Sequence, residues 1–504
     1  MLVALMLLLA ALIPGCAARG FADPESVTMA LDIPPTNLDP RIGQDATSSR
    51  LIPLLFSSLV RTDQNFEFQP DLAERWEVPD PLTYVFHLRS DAKFHDGRPV
   101  TGKDVVYTFR SMRDGSITTV KGATYQLVES IESPDDRTVI FRLKEPFAPF
   151  LWNVASSAIG IVPESSGPRF ANNPIGSGPF KFVRHLQDVE LVIQRNDEYF
   201  GTKPHVKTVT FRIIPEAIVR ALELRKGSVD AALNVLLPDM VEVFRRDGEL
   251  SVLRANGTNY QYLAFNMEDP VFSDLRVRQA IAYAIDRDRI IKYLWRDQAR
   301  PATGVIPPGN WSYEPNVTKY SYNPEKARQL LRESGHSNLS FTFRSSNSDE
   351  ARLLAAVLQQ QLKDVGINME IRSNEFATFF ADIQKGNFQA YSARWIGANN
   401  EPDHFGLIFH SSRTPPNGAN RGRYSNPEVD RLIEMGRREA DNERRKPIYQ
   451  RIQQIVSEDL PYVSLWYVDN VAVFNKRIHG MTISPAGDYD FLNQITLQPY
   501  IAMR

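Results

Sequence analysis

Short runs of β-branched and aromatic residues fill the first half of the chain, and a helical spacing of apolar positions takes over beyond Phe272. Tyr84-Val85-Phe86-His87-Leu88, Thr138-Val139-Ile140-Phe141, Glu190-Leu191-Val192-Ile193 and Thr208-Val209-Thr210-Phe211-Arg212-Ile213 are separated by Pro, Gly and Asp, which predicts strands and a sheet-rich first half. Val277, Ala280, Ile281, Ala284 and Ile285 then recur on one helical face, as do Leu354, Val357, Leu358, Leu362 and Val365. Between these helices lie the short strand patterns Ser340-Phe341-Thr342-Phe343 and Asn368-Met369-Glu370-Ile371, an alternation that predicts an α/β domain. Val463 to Phe474, followed by Gly480-Met481-Thr482-Ile483, reads as strand again and takes the chain back to the first domain. The pattern predicts a discontinuous first domain with an α/β second domain inserted.

Composition narrows the function. The 58 basic and 60 acidic side chains leave a formal charge of −2, so there is no basic footprint for nucleic acid. A length of 504 residues with 42% hydrophobic positions suits about three domains of ~150 residues. The 34 prolines are spread along the chain and punctuate loops and edge strands. Cys16 is the single cysteine, which excludes disulfides, cysteine-ligated zinc and a cysteine nucleophile elsewhere.

Cys16 follows the apolar run Leu2 to Ile13. That run falls inside the roughly 7–15 residues of a signal-peptide core and short of the ~18 that span a bilayer. Residues 1–15 are therefore predicted to be a signal peptide, and Leu12-Ile13-Pro14-Gly15-Cys16-Ala17 resembles a bacterial lipobox, in which the cysteine is acylated and becomes the new N-terminus. No Lys or Arg precedes Cys16, although such peptides open on a basic stretch, which points to a start upstream of Met1.

Several motif-like segments have simpler structural explanations. Gly97-Arg98-Pro99-Val100-Thr101-Gly102-Lys103-Asp104 follows G-x-x-x-x-G-K but ends in Asp where a phosphate-binding loop needs Ser or Thr, and Pro99 removes a backbone donor. Thr101 and Asp104 instead predict a capping box opening a helix at Val105. His87 and His95 form no tight histidine cluster and are assigned structural roles. Gly176-Ser177-Gly178 lacks the outer glycine of a nucleophile elbow and reads as a tight turn. The mixed-sign run Arg437 to Lys446 reads as the solvated surface of a helix–turn–helix.

Taken in order, several segments resemble the solute-binding proteins of peptide and nickel ABC transporters, family 5. They are Ile33-Pro34-Pro35-Thr36-Asn37-Leu38-Asp39-Pro40, Leu72-Ala73-Glu74-Arg75-Trp76-Glu77-Val78, Phe86-His87-Leu88-Arg89, and Phe94-His95-Asp96-Gly97 with Thr101 and Asp104-Val105. Asn173 to Phe180, Leu224-Arg225-Lys226-Gly227-Ser228-Val229-Asp230-Ala231, Tyr262-Leu263-Ala264-Phe265-Asn266, Arg276 to Ala280, and Trp395-Ile396-Gly397 through Pro402-Asp403 continue the match.

The resemblance implies an α/β, two-lobed periplasmic-binding-protein fold of class II, cluster C-like, with an extra subdomain in lobe I. The implied boundaries are 22–45, 176–262 and 470–504 for lobe I, 46–175 for the extra subdomain and 263–469 for lobe II. Crossing strands at Tyr260 to Asn266 and Val468 to Phe474 would form the hinge. By similarity, ligand contacts are expected at Trp395, Asn399, Asn400, Arg344, Tyr262 and Asn37, Arg344 matching an arginine that pairs with a ligand carboxylate. Peptide-binding relatives carry an Asp three residues after the tryptophan to hold the peptide α-ammonium, and this chain has Ala398 there, with Glu401 and Asp403 as the candidate substitutes.

The expected function is that of an extracytoplasmic, membrane-anchored lipoprotein, in the periplasm or at the cell surface. As a monomer without cofactor, metal or enzymatic chemistry, it would deliver a peptide-like or other small solute to an ABC permease. The alternatives are a nickel or metal-chelate receptor, with His404 and His410 as local candidates, and a secreted hydrolase, for which no Ser/His/Asp or paired-carboxylate site is visible.

Overall fold

The computed structural model describes residues 24–498 apart from 44, 64–65, 157, 168, 249 and 396–400. Cys16 and the predicted signal peptide lie outside the described residues, as do Ala398, Asn399 and Asn400. Among the described residues no helix is long and apolar enough to cross a membrane.

One eleven-stranded mixed sheet runs through both lobes. From the lobe II edge its order is Asn368–Asn374, Ser340–Ser346, Ala390–Trp395, Leu250–Phe265, Tyr462–Asn475, Ala231–Leu233, Ser26–Leu31, Thr208–Ile213, Glu190–Arg195 and Phe180–Leu186, with Ala299–Pro301 added beside Tyr462–Asn475. The two long antiparallel strands at the centre join the lobes. Near Leu250 their partner is Ala231–Leu233 of lobe I, which pairs with Ala472 to Phe474. Near Phe265 the partner is Ala390–Trp395 of lobe II. The pairing register breaks between Ala255 and Asn259, where Gly257 lies so close to the opposite strand that a Cβ would sit 2.2 Å from the Val468 carbonyl oxygen. Glycine is what lets the strands cross at that point.

Lobe I packs Val27, Met29, Leu51, Phe211 and Leu191 into one core. The returning C-terminal segment completes it with Ala472, Phe474, Tyr489 and Leu492. A separate four-stranded antiparallel sheet, in the order Ala73–Asp80, Thr83–Leu88, Thr138–Leu143 and Val128–Glu132, packs with helix Gly102–Arg113 around Phe86, Phe109 and Phe141. The predicted capping box is present, although the helix starts at Gly102 and not at Val105: the Asp104 carboxylate accepts from the Thr101 backbone N–H and hydroxyl, both at 2.8 Å. His95 hydrogen-bonds into the Gly176–Gly178 segment, accepting from the Gly176 N–H at 3.2 Å. The glycines there are needed for close approach, since a Cβ on Gly176 would meet the Leu55 carbonyl oxygen at 1.9 Å.

Lobe II is helix-rich, as the spacing predicts, with Leu275–Ala284, Pro324–Glu333 and Asp349–Lys363 packed on its strands. Two expectations need correction. Gly480-Met481-Thr482-Ile483 is not a strand: Gly480 takes φ 76°, and the strand ends at His479 after pairing with Thr496–Leu497. The charged run does form a helix–turn–helix, Pro427–Arg438 and Asn442–Asp459, but it is not uniformly solvated. Helical phase turns Arg445 fully inward and Arg437 mostly so, each onto a carboxylate of the segment that follows Trp395.

Candidate functional site between the lobes

A cleft of about 1840 Å³ opens between the lobes, well above the roughly 300–1,000 Å³ of an ordinary small-molecule pocket. Lobe I contributes Tyr199 and Asp488, its extra subdomain Arg61, Asp71 and Trp152, and lobe II Phe343, Ser345, Phe380, Arg394, Trp395 and Arg421. The lining combines aromatic faces with charges of both signs, which suits an extended amphipathic solute. Asp71 is buried, and burial pushes its carboxyl up to about 6 against the opposing hydrogen bond from the Ser58 N–H at 2.8 Å.

Trp395 ends the strand that pairs with the hinge strand, opposite Tyr260, and reaches the cleft from there. Its ring is partly exposed, and the edge of His404 packs against it at 4.8 Å and 89°. Tyr262 lies behind it and is not part of the cleft lining; it is wholly buried and stacks on Tyr462 at 4.3 Å. Arg344 also stays out of the lining. Strand alternation turns Phe343 and Ser345 toward the cleft side and leaves Arg344 on the other face, 3.2 Å from Asp382. Asn37 serves its own loop: its side chain accepts from the Asp39 N–H at 2.8 Å, and its N–H donates to the Ser48 hydroxyl at 3.2 Å. Asn399 and Asn400 cannot be placed, being outside the described residues.

The two acids after Ala398 are committed to arginines. Glu401 is buried and bidentate with Arg445, at 2.6 and 3.2 Å. Asp403 is bidentate with Arg437, also at 2.6 and 3.2 Å. His404 and His410 do not share a site. Burial, followed by the nearby Arg421 charge, lowers the His404 imidazole to about 4, whereas His410 faces Asp430 and Glu434. Among the described residues no group of three His, Cys, Asp or Glu is placed to hold a metal ion, and no histidine lines the cleft.

Apart from Trp395, sequence reasoning misses the cleft residues named above, Arg421 among them. Its loop is pinned by Asn420, whose side chain donates to the His410 and Tyr424 carbonyls and accepts from the Tyr424 N–H. Gly422 packs against the hinge strand, its carbonyl accepting from Met267 N–H at 2.8 Å, and a Cβ there would lie 2.7 Å from the Phe265 carbonyl oxygen. The only sequence signal is an arginine between an asparagine and a glycine, which has no periodicity to mark it.

Residues 67–416 match the family described as bacterial extracellular solute-binding proteins, family 5 middle domain. A probable di/tripeptide-binding protein of Pseudomonas aeruginosa is 31% identical over 452 residues, covering 84% of this chain and 86% of that protein. The oligopeptide-binding protein AppA of Bacillus subtilis, solved with a nonapeptide, superposes with a TM-score of 0.84 at 26% identity, covering 94% of this chain and all of that one. NikZ of Campylobacter jejuni, solved with Ni(L-His), gives 0.83 at 26% identity over the same 94% and all of its own chain. The chain belongs to the family 5 extracellular solute-binding proteins, the two-lobed substrate-binding components of ABC transporters.

Proposed function

We infer that the protein is the extracytoplasmic receptor of an ABC importer, anchored through an acylated Cys16, which captures a peptide-like solute between its lobes and hands it to the permease. The observation that carries this reading is the cleft lined from both lobes across one pair of crossing strands. A ligand touching both walls stabilises the closed arrangement by its differential contacts, and a permease can discriminate closed from open. The rotating bodies are proposed as 22–45 with 176–262 and 470–504, carrying 46–175, against 263–469. A peptide-like solute is favoured over a metal chelate because the described lining offers aromatic faces and charged groups but no imidazole. The similarity to peptide-binding relatives supports the same choice.

The test is to purify the soluble form from Ala17 onward, identify whatever co-purifies by mass spectrometry, and follow small-angle scattering as that compound is added back to stripped protein. A fall in the radius of gyration is expected. An unchanged radius at saturation, or a co-purifying nickel chelate, would overturn the reading.

A further inference from the structure

We propose that the cleft recognises its ligand through a carboxylate that docks on Arg421; this deepens the receptor function above and rests on it. Six arginines are buried among the described residues, and five of them meet carboxylates or backbone carbonyls. Arg41, Arg445 and Arg477 face Asp39, Glu401 and Asp230. Arg220 and Arg278 donate to backbone carbonyls. Arg421, only 8% exposed, pairs with no carboxylate among the described residues, and its Nε has no acceptor. The undescribed segment 396–400 contains no acid to supply one.

The guanidinium carbon lies 4.9 Å from the Trp395 ring centroid and 5.0 Å from that of Phe380, and all three residues line the cleft. On the protein side stand the Tyr262, Tyr391 and Tyr462 hydroxyls, neutral groups that face the guanidinium and one another, Tyr391 being the one in hydrogen-bond reach of it. Burial keeps Tyr262 and Tyr462 protonated, so they supply no counter-charge. Stacking on aromatic faces offsets only part of the penalty of burying a cation. An arriving anion removes the rest and is correspondingly well held.

The geometry selects the kind of anion. A guanidinium fork presents parallel N–H donors to a planar oxyanion, and aromatic walls favour a flat group over a tetrahedral one. The cleft also contains Asp71, Asp488 and Asp490, which disfavour a polyanion. A single carboxylate fits both conditions. Asn420 and Gly422 hold the arginine in place before the ligand arrives.

The test uses N-acetyl-dialanine, N-acetyl-trialanine and N-benzoylglycine against their primary amides, by calorimetry on the purified protein. Acids should bind and the matched amides should be weaker by about 10- to 100-fold. Arg421→Met should bind acid and amide alike, and Arg421→Lys should keep a reduced preference for the acid. Amides binding the wild type as tightly as acids, or a folded Arg421→Met that still discriminates, would overturn the proposal. If Arg421→Met does not fold, the wild-type pair and Arg421→Lys decide. Binding of acetylated peptides without regard to the carboxyl end sinks the carboxylate inference and leaves the peptide receptor standing. Arg421-dependent binding of benzoylglycine alone does the reverse. A panel in which nothing binds counts against both.

Discussion

The Trp395 ring lies over Tyr262 with centroids 6.2 Å apart and planes 15° from parallel. One ring of the pair faces the cleft and the other belongs to the buried hinge strand, where Tyr262 also stacks on Tyr462. The aromatic surface offered to a ligand is thus seated directly on the element about which the lobes would turn. Packed rings, without any intervening loop, connect the cleft face of Trp395 to the strand pair that joins the lobes.

This arrangement separates the two residues by experiment. Trp395→Ala should lose about 0.5–1.5 kcal/mol of stacking from the unliganded protein, and weaken binding of the co-purifying ligand by tenfold or more. Tyr262→Ala should remove about 3–5 kcal/mol of stability, as expected for a core aromatic. Denaturant melts and calorimetry on the two variants check both. Equal losses of stability would show Trp395 to be structural.

Glu401 and Arg445 make a second prediction. Both are buried and face each other in bidentate geometry. Glu401→Ala leaves a buried guanidinium without its carboxylate and should cost about 3–5 kcal/mol. Arg445→Met added to Glu401→Gln should recover most of that loss, because the charge itself is then gone. Urea melts of the single and double variants measure it. A Glu401→Ala variant as stable as wild type would mean that the pair carries no energetic weight.

The strands and helices were largely legible because burial on one face imposes a period that survives in the sequence: Thr208–Ile213 coincides with its predicted bounds, and Leu275–Ala284 follows the Val277, Ala280, Ile281 stripe. The helix cap at Thr101 was legible because it is local. Arg421, Arg437 and Arg445 were not. Which arginine is left without a carboxylate, and which two turn inward from a charged run, depends on helix phase and on chain segments brought together only by folding. The break at Gly480 was missed because the apolar residues after it look strand-like, while the left-handed φ at the glycine decides the backbone.

His404 gives a pH prediction. Its folded pKa is lowered to about 4 from an ordinary 6.5, first by burial and then by Arg421. The unfolded chain therefore binds its proton first as pH falls. The stability this contributes is fully present above pH 6.5 and is lost as pH drops toward 4, by as much as about 3 kcal/mol. Asp71, raised to about 6, has the opposite sign: its contribution is present below pH 3.8 and lost as pH rises through 6. The comparison with His404→Phe isolates the histidine. Between pH 7 and 4.5 the variant should gain on wild type by roughly 2–3 kcal/mol in denaturant melts. Parallel profiles would place the His404 proton elsewhere.

Cys16→Ser should abolish incorporation of labelled acyl chains and release the protein from the membrane fraction. This follows from its being the single cysteine of the chain, placed directly after an apolar run of signal-peptide length. Retention of label, or membrane association through an uncleaved helix, would refute the anchor.

The last prediction concerns the amino end of the ligand. By the sequence resemblance, Ala398 takes the place of an ammonium-binding aspartate, and the two acids that follow are already paired, Glu401 with Arg445 and Asp403 with Arg437. Neither acid can turn to an ammonium without abandoning a buried arginine, at about 3–5 kcal/mol. A ligand whose amino end is neutral avoids that conflict and avoids desolvating an ammonium, since the lobe II acids that line the cleft are also paired, Glu350 with Arg394 and Asp349 with Arg352. An N-acetylated peptide should thus bind at least as well as its free-amine counterpart. Ala398→Asp should shift preference toward the free amine by roughly 1–3 kcal/mol. Calorimetry on the matched pair, in wild type and variant, measures both differences. Tight wild-type binding of the free amine with rejection of the acetylated form would reverse the conclusion and move the ammonium site to lobe I, where Asp71 and Asp488 face the same cleft.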